Sequence, residues 1–262
     1  MDTVSVNRGL AFAALLCAVV CCGSEVFAGR PLVVDDAHPV EEGNVQLVWG
    51  FIHTVPEKGG RDQQLPAISA SYGAYKNLET GLTIQRTDTD LKGESPVRGF
   101  QDLHLFSKYK FVEEDEKGYV PAMTFTFDLK IPTANSHEGL TTGRFDEGFL
   151  LIATKHFFPA AIDLNLGYTV VGRRKGEALE NQFFGGVALR YGINEHWRLV
   201  GDIYGLTRPA RGENAQGNFQ LGVRYHFGEF TMFDTAVGRS LLSSGNRFQV
   251  TCGVTWSAPV KF

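Results

Sequence analysis

From Phe219 to Phe227 the chain alternates strictly: Phe219, Leu221, Val223, Tyr225 and Phe227 share one face, and Gln220, Gly222, Arg224 and His226 share the other. Successive side chains of a strand point to opposite sides, so this stretch reads as a strand with one apolar and one polar face. The same period of two predicts about twelve strands, at 44–54, 64–75, 80–89, 99–111, 120–132, 145–157, 162–171, 182–192, 196–205, 217–227, 230–239 and 247–262. Many are near the 9–11 residues that a tilted membrane strand needs. Segment 145–157 is the weakest, because Phe149-Leu150-Leu151-Ile152 does not choose a face.

The connections alternate as well. Short links at 76–79, 158–161, 193–195 and 228–229 are interleaved with longer polar ones at 55–63, 90–98, 133–144, 172–181, 206–216 and 240–246; the acidic link 112–119 is the exception. Short periplasmic turns, longer outside loops and an even strand number are the grammar of an antiparallel outer-membrane β-barrel. Aromatics cluster at the two ends of these segments. Tyr72, Tyr109, Phe111, Tyr191, Trp197, Tyr225, Phe227, Trp256 and Phe262 fall on the short-turn side, and Trp49, Phe51, Tyr168, Phe183 and Phe219 near the other. Rings at both edges of an apolar band are interface girdles. The segment from Asn44 to Phe51 is expected to pair with the last strand and close the barrel.

The remaining chain divides around this barrel. Arg8 followed by the apolar run Leu10 to Val20, with Val26-Phe27-Ala28 behind it, reads as a signal peptide over 1–28. Residues 29–43 are assigned to a periplasmic N-terminal segment and 44–262 to the barrel. In the last strand Cys252, Val254, Trp256, Ala258, Val260 and the terminal Phe262 alternate, with Pro259 as the one residue lacking a ladder donor. That strand resembles the signal read by the barrel-assembly machinery, which becomes an expected partner together with outer-membrane lipid. The expected location is the outer membrane of a Gram-negative-type cell, after export through the inner membrane.

Composition changes this picture little. A net charge of −4 argues against nucleic acid as a partner. Cys17, Cys21 and Cys22 belong to the leader, so Cys252 would stand alone, and no paired CxxC metal motif occurs. No metal site and no cofactor are expected.

The polar face carries the candidate chemistry. In this register Asp102, His104, Lys108, Asp128, Lys130, Arg198, Asp202 and Arg224 are expected to line the pore, alongside Asp163, Asn165, Arg190, Gln220, His226, Asp234 and Arg239. Charges belong inside because a Lys or Arg on the lipid face costs about 2–4 kcal/mol at mid-depth. Mixed signs suit either a solute filter or a mutually paired, structural lumen. A hydrolase would need a base beside a nucleophile, with His53, His104, His156, His226 and Ser107 as candidates; no GxSxG or HExxH motif is present, and no enzyme is expected. A third reading is a structural or surface-interaction barrel whose lumen is plugged by the loops at 55–63, 133–144 and 206–216.

Several stretches extend beyond general barrel grammar. They are Leu65-Pro66-Ala67-Ile68-Ser69-Ala70-Ser71-Tyr72-Gly73 with Leu82-Thr83-Ile84, Gly99-Phe100-Gln101-Asp102-Leu103, Lys108-Tyr109-Lys110-Phe111, Leu129-Lys130-Ile131-Pro132-Thr133-Ala134 with Gly139-Leu140-Thr141-Thr142-Gly143, Asn165-Leu166-Gly167-Tyr168, and Leu199 to Gly205. Together they resemble the outer-membrane transporter family of the meta-pathway (MetA-pathway) of phenol degradation. Ala134-Asn135 stands where that pattern has a glycine and an acid. The resemblance implies a channel for passive uptake of small, hydrophobic or aromatic organic solutes.

Overall fold

The computed structural model describes residues 29–260 apart from 57–58, 94, 136–139, 174, 176 and 243–245. The leader and Phe262 therefore lie outside the described residues, as does the end of the assembly signal. Thirteen strand segments follow in order: β1 (Asn44–Pro56), β2 (Gly60–Tyr75), β3 (Leu78–Leu91), β4 (Val97–Phe100), β5 (Leu103–Val112), β6 (Ala122–Ile131), β7 (Asp146–Phe157), β8 (Ala160–Val170), β9 (Gln182–Gly192), β10 (Trp197–Leu206), β11 (Gln216–Phe227), β12 (Thr231–Ser240) and β13 (Asn246–Pro259). Apart from β4 and β5, which do not pair with each other, each pairs antiparallel with its sequence neighbours. β4 and β5 both pair with β3 and are two halves of one barrel strand, broken at Gln101-Asp102. The result is twelve barrel strands, closed where β1 runs against β13 from Asn44↔Pro259 to Val55↔Phe248. Closure leaves no open sheet edge along the apolar band, as a strand protein in hydrocarbon requires; among the described residues only the short β4 beyond it has a single partner.

The alternation read from sequence is the inside–outside alternation of the wall. On β8, Ile162, Leu164 and Leu166 are exposed, whereas Ala161, Asp163 and Asn165 are buried. At the short-turn end Tyr109, Phe111, Tyr191, Trp197, Phe227 and Trp256 are all exposed on the outer surface. Trp197 packs on Tyr225 across the β10–β11 pair, with ring centroids 4.7 Å apart.

Three expectations need correction. The connections expected at 55–63 and 90–98 are much shorter, because β1, β2 and β3 run on past the apolar band. Their polar tips are laddered: Asp62 accepts the hydroxyls of Thr87 and Thr89, and Arg61 pairs in register with Asp90. Beyond the membrane a strand needs no apolar face, so its tip resembles a loop in sequence. Arg239 is on the outer face, not the inner one, since Asp234, Ala236, Gly238 and Ser240 hold the buried positions of β12. It sits one residue from the long-loop end, where a guanidinium can reach the interface. The third correction concerns residues 29–43, which enter the barrel.

Candidate functional site: a strapped lumen

The segment before β1 turns back into the barrel and crosses its short-turn half. Its backbone has no ladder partner there, so inward side chains of the wall supply one. Glu79 of β3 accepts the N–H of Val40 at 3.0 Å. Thr124 of β6 donates its hydroxyl to Ala37 O at 2.6 Å, and Thr154 of β7 accepts the Ala37 N–H at 2.8 Å. Asn165 of β8 accepts from Asp35 N at 2.8 Å and donates to Asp35 O at 2.7 Å, copying one rung of a sheet. Asp202 of β10 accepts the N–H groups of Val33 and Val34. Arg224 of β11 donates to Arg30 O at 2.6 Å and to Gly29 O at 2.9 Å.

Charges close the same circuit. Arg30 donates to Asp234 at 3.3 Å, to Thr251 Oγ1 at 2.7 Å and to Cys252 O at 2.7 Å. Lys108 holds Asp35 at 2.8 Å. Arg190 forks onto Asp163 at 2.7 and 2.9 Å, with Asp36 at 3.6 Å from its third nitrogen. A buried charge is tolerable only when it is paired and hydrogen-bonded, and these are.

The strap also buries apolar side chains. Leu32 and Val34 pack on Ala188, Val200 and Tyr204, while Ala37 packs on Ala122 and Ile152. Glycines make room for it. A Cβ at Gly50 or Gly253, a registered pair on β1 and β13, would collide with the Arg30 guanidinium, which lies against both. The ambiguous run in β7 now has a cause: Phe149 and Leu151 pair across the outer face, while Ile152 is fully buried against Ala37.

The long-loop half is different. Asp102, freed by the break between β4 and β5, accepts from Ala134 N at 3.0 Å and from the Thr141 hydroxyl. Lys130 Nζ lies 2.6 Å from Asp146 and 3.6 Å from Asp102. His104 Nδ1 is 2.8 Å from Asp128. Around them is a cavity of about 370 Å³ lined by Gln101, Asp102, His104, Lys130, Leu140, Thr141 and Thr142. A second, of about 250 Å³, shares Asp102 and His104 and adds Thr83, Gln85 and Asp128. At the rim above, Glu180 accepts from Arg208 at 2.6 Å, and this bond holds its carboxyl below the usual range.

The eight residues singled out from sequence thus separate into groups. Lys108, Asp202 and Arg224 hold the strap, and Asp102, His104, Asp128 and Lys130 surround the outer cavities. Arg198 stands apart near the short-turn end of β10, on the same face as buried Val200 and Asp202. The candidate nucleophile Ser107 is on the outer face, opposite in parity to His104, and its hydroxyl reaches Thr80 at 3.5 Å. Sequence reasoning missed Arg30, Asp35 and Asp36. The available signal was inward apolar positions, Ile152, Ala188, Val200 and Tyr204, which a water-filled lumen would not use.

A closed twelve-stranded wall with an apolar outside and a polar, strapped inside defines an outer-membrane-type β-barrel. The chain belongs to the family described as "Putative MetA-pathway of phenol degradation", which matches residues 29–258. Its fold is similar to that of the COG4313 outer membrane channel from Pseudomonas putida F1, with a TM-score of 0.71 at 14% identity over 85% of this chain and 98% of that one. It is also similar to the NanC porin, with a TM-score of 0.55 at 9% identity over 81% and 98% of the two chains. The translocator domain of the autotransporter NalP from Neisseria meningitidis gives a TM-score of 0.50 at 10% identity over 95% and 94%. No curated protein matches the chain.

Proposed function

We infer that this protein is an outer-membrane channel for passive uptake of small organic solutes, narrowed by its own N-terminal segment. The observation that carries the reading is the pair of adjoining cavities in the long-loop half, directly above a strap that crosses the other half. An outer cavity of a few hundred Å³ with convergent polar groups fits one small molecule. Lys130 and His104 offer donors to a carboxylate or hydroxyl, and Leu140 offers an apolar wall. Aromatic acids and phenols carry both features. The family description and the channel-like neighbours support the same direction, although one barrel fold serves several functions, as the NalP translocator illustrates.

The strap sets the size limit. Eight-stranded barrels are filled by side chains and porins of 16–18 strands are open; twelve strands leave a lumen that a single chain segment can obstruct. Single-channel recording in planar bilayers tests the proposal. Small, discrete conductance steps reduced by benzoate or phenol are the expected result. A folded barrel without steps, and without solute uptake in liposome swelling, would overturn it in favour of a plugged structural barrel.

A further inference from the structure

The periplasmic rim carries a side-chain cluster that the lumen network leaves unused. His38 stands on the strap, Glu114 in the acidic link between β5 and β6, and His156 near the end of β7. One donor atom from each of the three lies within 4.8 Å of the others. Glu114 Oε2 and His156 Nδ1 are 2.6 Å apart, while Glu114 Oε1 accepts from Lys155 Nζ and from His156 N, each at 2.8 Å. The imidazole centroids of His38 and His156 are 5.4 Å apart, with the rings tilted by 59°. His38 Nδ1 is buried and has no hydrogen-bond partner among the described residues; Asp36 Oδ1 lies 3.4 Å away.

We propose that His38, Glu114 and His156 form a binding site for a borderline divalent metal ion, zinc foremost, which pins the N-terminal strap to the periplasmic rim. Two imidazoles and one carboxylate are a zinc donor set, whereas calcium and magnesium take oxygen ligands. Zinc donors at about 2.0–2.1 Å in a tetrahedron stand roughly 3.3 Å from one another. The ion therefore draws in the widest pair by no more than roughly 1.5 Å and opens the Glu114–His156 contact by less than about 1 Å. Both changes are within the reach of side-chain torsions. The ion takes the place of the proton that Glu114 and His156 now share, and His38 becomes the third ligand. Lys155 and the His156 N–H remain on the other carboxylate oxygen and orient it, as outer-shell partners do in metal centres.

The three ligands come from three separate parts of the chain, and only one of them is on the strap. Binding is thus linked to the strapped state: an ion that holds His38 stabilises the conformation in which residues 29–40 cross the lumen. This linkage does not depend on what the channel carries.

The test uses the untagged, folded protein purified in detergent, stripped with EDTA and titrated with zinc chloride by calorimetry. The expected result is one ion per chain with a dissociation constant of micromolar or below. His38→Ala, His156→Ala and Glu114→Gln are each expected to weaken it at least tenfold, and His196→Ala at another turn to leave it unchanged. Heat-modifiability on gels verifies that each variant is a closed barrel. Cobalt(II) is expected to give the intense visible bands of a tetrahedral site, lost in His38→Ala. Absence of stoichiometric zinc binding, or His38→Ala binding as His196→Ala does, overturns the proposal whatever the conductance measurements show.

Discussion

The carboxylate of Asp202 accepts two consecutive backbone N–H groups, from Val33 at 2.8 Å and from Val34 at 3.1 Å. One side chain at mid-height of β10 thereby replaces the ladder that this stretch of strap would otherwise lack. Hydrogen bonds to a charged group contribute about 1.5–3 kcal/mol each. Asp202→Ala is expected to leave the barrel folded and to destabilise the strapped state by roughly 3 kcal/mol, allowing for partial replacement by water. Hydrogen exchange of the Val33 and Val34 amides should accelerate by about a hundredfold, since each 1.4 kcal/mol is a factor of ten. Unchanged protection of those amides would mean that the rest of the strap holds them without Asp202.

The Gly50–Gly253 pair makes a second, independent prediction. Both glycines lie in registered strands and neither needs a positive φ. The nearest atoms to a Cβ at Gly50 are all of the Arg30 side chain, whereas one at Gly253 would also meet the Trp49 carbonyl at 2.7 Å, so alanine at Gly50 is the change that spares the wall. It does remove the seat of Arg30, whose guanidinium occupies the space a Cβ would take. Gly50→Ala and Arg30→Ala should therefore raise single-channel conductance similarly, and the double variant should add nothing. Additive effects in that cycle would show that the two residues do not act through one contact.

Wall and lumen differ in what they tolerate. Leu164 is 45% exposed at the middle of β8, whereas its neighbour Asn165 is fully buried and bonded to Asp35. An arginine at position 164 faces lipid at a cost of about 2–4 kcal/mol. Leu164→Arg is expected to lower the yield of heat-modifiable barrel in the outer membrane. Asn165→Ala should assemble normally and loosen only the strap. Equal assembly of the two variants would invalidate the inside–outside register.

How much of this was legible in the chain depends on which physical signal each part carries. The period of two in β8, β11 and β13 marks lipid on one side and polar lumen on the other, and these strands and their faces are read directly. β7 defeats that reading because Ile152 and Leu150 are inward yet apolar, having Ala37 rather than water to face. Residues 29–43 carry no period at all, since a strap held by side chains has no face to keep. Its partners, Asn165, Asp202 and Arg224, were visible as inward polar and charged groups, but nothing local in the chain says that a backbone lies against them. The cluster of His38, Glu114 and His156 is equally silent, with ligands separated by dozens of residues and no shared motif.

The outer cavities provide the last prediction, on selectivity. Lys130 is paired with Asp146 at 2.6 Å and stands 3.6 Å from Asp102, so one cation of the larger cavity's wall faces two carboxylates. Removing it leaves two negative charges unopposed where the lumen is not strapped. Rings and clusters of one sign set the preference of a pore for the opposite ion. Lys130→Met is accordingly expected to shift the reversal potential in a potassium chloride gradient toward cation selectivity, and to weaken block by benzoate at least fivefold. Asp146→Asn, which removes one of the two acids, should move the reversal potential the other way. If both variants keep the wild-type reversal potential while the Gly50→Ala conductance is raised, ions do not pass the Asp102–Lys130 pair, and the outer cavities are not part of the conducting path.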